Sequence, residues 1–397
     1  MASILKVDKL DPQSGTALEI GTSGDTVSIP SGVTLSGAGT ITASAANLAA
    51  SGAGGVTGTL PVANGGTGST TLAGAGLQRP NVNPYIINGN FGVWQRGTSF
   101  TTSVYTADRW LQDLSGASAT LTREAHTVGQ TDVPDNPKYY LKQNVTTGND
   151  NCGMLYRIED VDILTGAFTL SFYAKGVNPN SGNLDIIIQQ NFGSGGSGTV
   201  SLSEQDLTLT GSWQKFVFTG TLASISGKTI GTSSYIQIII KQPSDDANTA
   251  AWNLQISQVQ LEAGTYTSST IPPFQSETYG DNLARCQRYF QTCDNFVGVG
   301  NDASGEIFLG NATIQGRMRI LGPSIGNPNV VQVTDGYSQD VVQSAAGTVS
   351  NLCQGWDKVL IYLQGFVSTN LTHGRMYFGT RNNSDAGVNQ ITFDAEL

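Results

Sequence analysis

The order of apolar and polar positions predicts strands over most of the chain beyond residue 80. Phe168, Leu170, Phe172 and Ala174 alternate with Thr169, Ser171 and Tyr173, the period-two pattern of a half-buried strand. The same alternation marks Leu184 to Gln190, Val200 to Leu209, Trp213 to Phe218, Tyr235 to Ile240 and Leu254 to Leu261, with Gly, Asn, Ser and Asp clusters between them. Many short strands at this spacing predict an all-β sandwich over residues 81–271. After Pro272-Pro273 the period changes once. Leu283, Cys286, Tyr289 and Phe290 fall at helical spacing behind a capping Asp281, which predicts a short helix within a link at 272–295. Residues 296–397 return to strands: Ile307 to Leu309, Val330 to Val333, Val359 to Val367, Met376 to Phe378 and a closing stretch, Ile391 to Leu397.

The first 80 residues follow another pattern. Charged residues crowd positions 1–25, and from Thr26 to Gln78 no side chain is charged. That second stretch is Gly, Ala, Ser and Thr with spaced Val, Leu and Ile, too little apolar surface to form a compact domain alone. It either remains a linker or gains order by pairing with copies of itself. Short alternations at Thr26–Ile29 and Val33–Leu35, punctuated by Pro30, Gly32, Gly37 and Gly39, favour an intertwined, trimeric stalk, because lone strands of this length are marginal.

Composition sharpens this picture. Only 13% of the 397 residues are charged, Gly accounts for 49 of them, and the net charge is −10. The sandwiches must therefore be covered by uncharged Ser, Thr, Asn and Gln. The acidic balance supplies no basic stripe for nucleic acid, and no apolar run is long enough to span a membrane. The opening MASILKVDKL has no basic region followed by an apolar one and does not read as a secretory signal. Cys152, Cys286, Cys293 and Cys353 form no CxxC motif. They read as small buried thiols, although Cys286 and Cys293, seven apart, would share a face if a helix carried both.

Several segments resemble parts of tailed-bacteriophage tail fibres. LPVANGGTG at Leu60–Gly68 is similar to a stretch of their stalks. INGNF at Ile87–Phe91, VWQRGTSF at Val93–Phe100 and YTADRW at Tyr105–Trp110 resemble the opening of a β-sandwich module in fibre and virion proteins. Gly211–Lys215 and Ile256–Gly264 resemble strands of jelly-roll modules related to carbohydrate-binding modules. NLARCQRYF at Asn282–Phe290 resembles a helix linking sandwich to tip, and Ile391–Leu397 the closing strand of a fibre tip. The resemblance implies five parts: a virion-attachment segment at 1–25, a charge-free stalk at 26–80, a jelly-roll sandwich at 81–271, a linker with a short helix at 272–295 and a β-sandwich tip at 296–397. It implies a homotrimer made in the host cytoplasm and carried on the tail or capsid of the virion. Its N-terminus would join other virion proteins, and it would bind host polysaccharide or lipopolysaccharide without entering the membrane.

The sequence offers little for catalysis. There is no GxSxG elbow, HExxH helix or P-loop, and the two histidines, His126 and His373, read as ordinary loop or surface residues. No cofactor is implied. A depolymerase would need two carboxylates about 5–9.5 Å apart. Glu159, Asp160 and Asp162 cluster, as do Asp245 and Asp246, and positions 160 and 162 would share one face of a strand. A solvated turn, or structural calcium held by Asp160 and Asp162, is the better explanation of them. Binding demands less: aromatic faces with planar polar groups suit neutral glycans. In the tip, Tyr337 beside Asp335, Trp356, and the Asn382, Asn383 and Asp385 loop are the candidates. Trp94 and Trp110 read as core, and Asp108 and Arg109 as groups that fix a turn. The sequence thus favours a non-enzymatic fibre that adsorbs to glycans. The alternatives are a decorating structural protein without a receptor role and a glycan depolymerase.

Overall fold

The computed structural model describes residues 84–397, except 181, 244–248, 294–295, 301–307, 314–317, 320–323, 327–331, 335–339, 343–348, 355–357, 364–375 and 381–390. Twelve strands come first: β1 Ser99–Phe100, β2 Trp110–Asp113, β3 Ser118–Ala125, β4 Tyr139–Thr147, β5 Gly153–Glu159 and β6 Ala167–Val177, then β7 Leu184–Asn191, β8 Val200–Ser201, β9 Gln205–Leu207, β10 Gln214–Thr221, β11 Tyr235–Lys241 and β12 Trp252–Ala263. They form two antiparallel sheets. One runs β1-β3-β4-β12-β6-β10, the other β2-β5-β11-β7-β8 with β9 also on β7. This is an all-β sandwich of jelly-roll type, as the alternation predicts. The segment read as one strand from Val200 to Leu209 is instead two short pieces, β8 and β9, separated by Leu202–Glu204.

Alternation sets which residues fill the space between the sheets. Leu121, Leu141, Val145, Phe168, Leu170, Phe172, Leu254 and Ile256 come from the first sheet, and Met154, Tyr156, Ile186, Ile188, Ile236, Ile238 and Ile240 from the second, all in one buried cluster. Trp110 is 1% exposed and lies 4.8 Å from the Tyr156 ring and 5.1 Å from Phe91. It is core, as its sequence context suggests, and Trp94 packs against the same cluster.

The INGNF segment forms a tight turn on the sandwich wall. Asn88 and Phe91 are left-handed, with φ of 58° and 53°, a conformation Asn tolerates better than most residues. The Asn88 side chain holds the turn: Nδ2 donates to the carbonyls of Val93 (2.9 Å) and Asp108 (3.1 Å), and Oδ1 accepts from the Val93 N–H at 3.0 Å. Strand β12 bulges at this level, where the register slips between Ser257 and Gln260. The Val259 N–H there donates to the Gly89 carbonyl at 2.9 Å. A Cβ on Gly89 would stand 2.1 Å from the Val259 carbonyl oxygen, so the turn needs glycine to come this close.

Helix α1, Tyr279–Gln287, follows. Thr278, and not Asp281, is its N-cap. The Thr278 hydroxyl accepts from the Asp281 N–H at 3.2 Å and donates to the Asp281 carboxylate at 2.7 Å, which satisfies one of the free N–H groups of the first turn. The helix buries Asn282 and Cys286. Cys293 is not on it: it ends β13, Phe290–Cys293. Both thiols are buried, as is Cys152.

The remaining strands are β14 Phe296–Gly300, β15 Phe308–Thr313, β16 Ser324–Gly326, β17 Gln332–Thr334, β18 Asp340–Val342, β19 Val349–Gln354, β20 Lys358–Leu363, β21 Met376–Thr380 and β22 Ile391–Asp394. They form a three-stranded sheet, β13-β22-β16, and a seven-stranded one, β18-β17-β21-β14-β15-β20-β19. No helix among the described residues is long and apolar enough to cross a membrane.

Candidate functional site

Two constellations of polar and aromatic side chains stand out. The first is buried and ties the sandwich motifs to the strands that close the chain. The Arg109 guanidinium lies over the Tyr289 ring, 3.5 Å from its centroid, and pairs with Glu396. Arg96 stacks on Phe290 at 3.6 Å and reaches Asp394 at 3.2 Å and Glu396 at 3.4 Å. Asp108 accepts from the Gln95 N–H at 3.0 Å, and burial pushes its carboxyl up to about 6 although Arg96 and Gln95 pull it down. The Tyr105 hydroxyl donates to the Leu397 carbonyl at 2.8 Å, and Arg319 donates to the carbonyls of Ala395 (2.6 Å) and Glu396 (3.1 Å). On the helix, Asn282 accepts from the Asn88 N–H at 3.1 Å and donates to the Asn90 side chain at 3.0 Å. Asp108 and Arg109 thus do more than fix a turn. This network is a clasp, with Arg96, Asp108, Arg109 and Glu396 turned toward each other and the Asp394 side chain still 39% exposed.

The second constellation lies on the outer face of the sheet β1-β3-β4-β12-β6-β10. Register defines it. Ile256 and Ala174 are aligned and buried, so the neighbouring pairs Ser257–Tyr173 and Gln255–Lys175 point the other way. Gln255 also aligns with Lys142 of β4, and Tyr173 with Lys215 of β10. Tyr140, Lys142, Tyr173, Lys175, Trp213, Lys215 and Gln255 are all partly exposed. Trp213 stands edge-on to Tyr140, at 5.2 Å and 83°, with the Lys175 ammonium 5.1 Å from its ring.

His126 closes one side of this face. It lies on the loop between β3 and β4, as its context suggests, but is 9% exposed rather than a surface residue, because that connection folds over the sheet. Its ring lies 4.8 Å from Tyr140 and 5.2 Å from Trp213, and its Nε2 is 3.2 Å from the Ser257 hydroxyl. Burial, helped by Lys175, lowers its pKa to about 4, so it is neutral near pH 7. The Gln258 amide holds the same connection by donating to the Pro134 carbonyl at 2.7 Å. The arrangement is an open aromatic platform with amide and ammonium groups around it. By contrast, the cavity among Ile86, Val259 and Phe274 is only about 30 Å³, room for a water or two and too small for a sugar.

The sequence candidates fare differently. Tyr337, Trp356, Asp335, Asn382, Asn383, Asp385, His373 and the Asp245–Asp246 pair lie outside the described residues. Asp160 and Asp162 are not on a strand. They sit exposed in the turn after β5, with Asp160 left-handed at φ 68°. Glu159 beside them is occupied by Arg288, at 2.8 Å, and by the Tyr289 hydroxyl, at 2.9 Å. No group of three or more His, Cys, Asp or Glu side chains is placed to hold a metal among the described residues. The sequence reading missed Tyr140, Tyr173 and Trp213 as a group. Tyr173 carries a legible signal, since it is out of phase with Phe168, Leu170 and Phe172 and must face outward once those face the core.

No protein-family model and no curated protein matches the chain. Among solved structures, the N-terminal cellulose-binding domain of Cellulomonas fimi β-1,4-glucanase C is similar over 45% of this chain and 95% of its own, at 16% identity and a TM-score of 0.27. A cyclase from a Fischerella species is similar over 45% and 96%, at 11% identity and a TM-score of 0.29. The enzymatically active domain of bacteriophage CBA120 tailspike protein 4 is similar over 45% of this chain and 21% of its own, at 11% identity and a TM-score of 0.27.

Proposed function

We propose that the chain is a structural fibre of a tailed-phage virion, attached through its N-terminal residues, that adsorbs to host cell-surface glycans. The observation that carries the binding role is the aromatic platform of Tyr140, Tyr173 and Trp213 on an open sheet face. Aromatic side chains left partly exposed across several strands bring a flat apolar surface to a ligand while their polar edges stay wet. Gln255 beside them supplies the directional hydrogen bonds that fix a polar ligand. The fibre role rests on the INGNF, VWQRGTSF and YTADRW series and on the charge-free stretch at 26–78, which gains order by self-association into a homotrimer. Loops of the tip carrying Asp335, Tyr337, Trp356 and Asn382 belong to the same reading as a second contact region.

Two measurements test it. Purified full-length chain is screened against host polysaccharides with Trp213→Ala alongside; retention by wild type and loss in the variant is the expected result, and equal retention removes the platform from the reading. Light scattering then gives the mass, where a value near one chain overturns the trimeric fibre. A virion protein that retains no glycan at all would instead be a decorating component.

A further inference from the structure

The platform is ringed by cations. Lys142 and Lys175 flank Gln255 in one row across β4, β12 and β6, about 10 Å apart at the usual strand spacing. Lys215 aligns with Tyr173 in the next row. Among the described residues none of the three has a carboxylate within ion-pair distance, whereas Arg96, Arg109, Arg285 and Arg288 each pair with one. Two carboxylates lie beside this face without pairing with its lysines: Glu124 aligns with Tyr140 and accepts from the Thr122 hydroxyl at 2.7 Å, and Asp135, on the connection over the sheet, is near enough to Tyr173 to help burial raise its pKa. Burial of Lys215 disfavours its charge, so an anion beside it would relieve a standing cost. These features run against a chain of net charge −10 with only 20 Lys and Arg. The aromatics alone suit a neutral sugar; the lysines do not follow from that need.

We infer that the glycan recognised here is anionic, with its carboxylate or phosphate groups seated on Lys142, Lys175 and Lys215 while a sugar ring packs on Trp213. This inference rests on the reading of the platform as a glycan site. Ammonium groups that lack a carboxylate of their own form charge-assisted hydrogen bonds with such anions. Partial burial against Trp213, Tyr173 and Gln255 keeps them from being fully screened by salt.

The test uses the full chain with four probes: a polyuronate, a phosphomannan, a neutral polysaccharide and single-stranded DNA. Wild type, the triple variant K142Q/K175Q/K215Q and Trp213→Ala are compared, each checked for an unchanged thermal midpoint. Wild type is expected to prefer one of the two charged polysaccharides over the neutral one, and which one tells carboxylate from phosphate. The triple variant should weaken that binding by about tenfold or more and flatten its dependence on salt. Equal binding of neutral and charged polysaccharide, untouched by the lysine changes, overturns the anionic ligand and leaves the glycan reading standing. Binding of DNA as tight as that of the polysaccharides overturns it as well. Failure of wild type to bind any polysaccharide sinks both.

Discussion

Arg109 and Glu396 meet as a buried ion pair across 287 positions of sequence, with side-chain exposures of 1% and 3%. Charges this buried cost more to leave unpaired than their pairing returns. Truncating one partner strands the other, so Glu396→Ala is expected to cost about 3–5 kcal/mol in equilibrium denaturation. The double change Arg109→Met with Glu396→Met should cost much less than the sum of the singles, because it removes both charges together.

Asp108 and His126 predict opposing pH dependence. Burial raises the Asp108 carboxyl to about 6 in the fold, above the ordinary value of about 4 in an unfolded chain. Its contribution is therefore fully present below about pH 4 and is lost as pH rises through about 6. His126 is lowered to about 4 against about 6.5 unfolded. Its contribution is present above about pH 6.5 and is lost as pH falls through about 4. The two slopes nearly cancel across that window. Asp108→Asn should expose a stability that climbs from about pH 4 to 6.5, and His126→Phe one that declines from about pH 4 to 6. Urea midpoints against pH check both, and parallel profiles for the three proteins would contradict the assignment.

Gly89 is fixed by the closeness of the Val259 carbonyl. Gly89→Ala would press a methyl to 2.1 Å from that oxygen and should lower stability by about 2 kcal/mol or more, in the range of overpacked sites. Gly211, with nothing within 4 Å of its would-be Cβ, is the control. Gly211→Ala should change stability by less than about 0.5 kcal/mol, as thermal denaturation will show.

Helix α1 is seated by Asn282, which meets the backbone of Asn88 and the side chain of Asn90. Asn282→Ala leaves the buried Asn88 N–H without its partner and should cost about 1–3 kcal/mol. Amide exchange should report the loss first in the Ile87–Phe91 turn. Unchanged protection there would mean the helix is held by its apolar contacts alone.

The sandwich strands were legible because alternation reports burial on one face of a sheet, and Phe168 to Ala174 needs no partner to show it. The helix was legible in part from its period: Leu283 and Cys286 lie on it, but Tyr289 and Phe290 fall beyond its end at Gln287, and backbone geometry makes Thr278, not the expected Asp281, the cap. The platform was half legible. Tyr173 and Lys175 declare their face by phase along β6, yet Tyr140 and Trp213 join them only through the register of β4, β12, β6 and β10, and register between distant strands leaves no mark in a local pattern. His126 became a buried neighbour of Trp213 because a connection folds back over the sheet. The clasp was the least legible part. The Asn88 turn draws on Val93 nearby but also on Asp108, Val259 and Asn282, and the pairing of Arg109 with Glu396 was decided by where packing brings the closing strand. Local periodicity thus determined the elements and their inner faces, and tertiary packing decided which polar groups meet, since those contacts depend on distances that no short window of sequence contains.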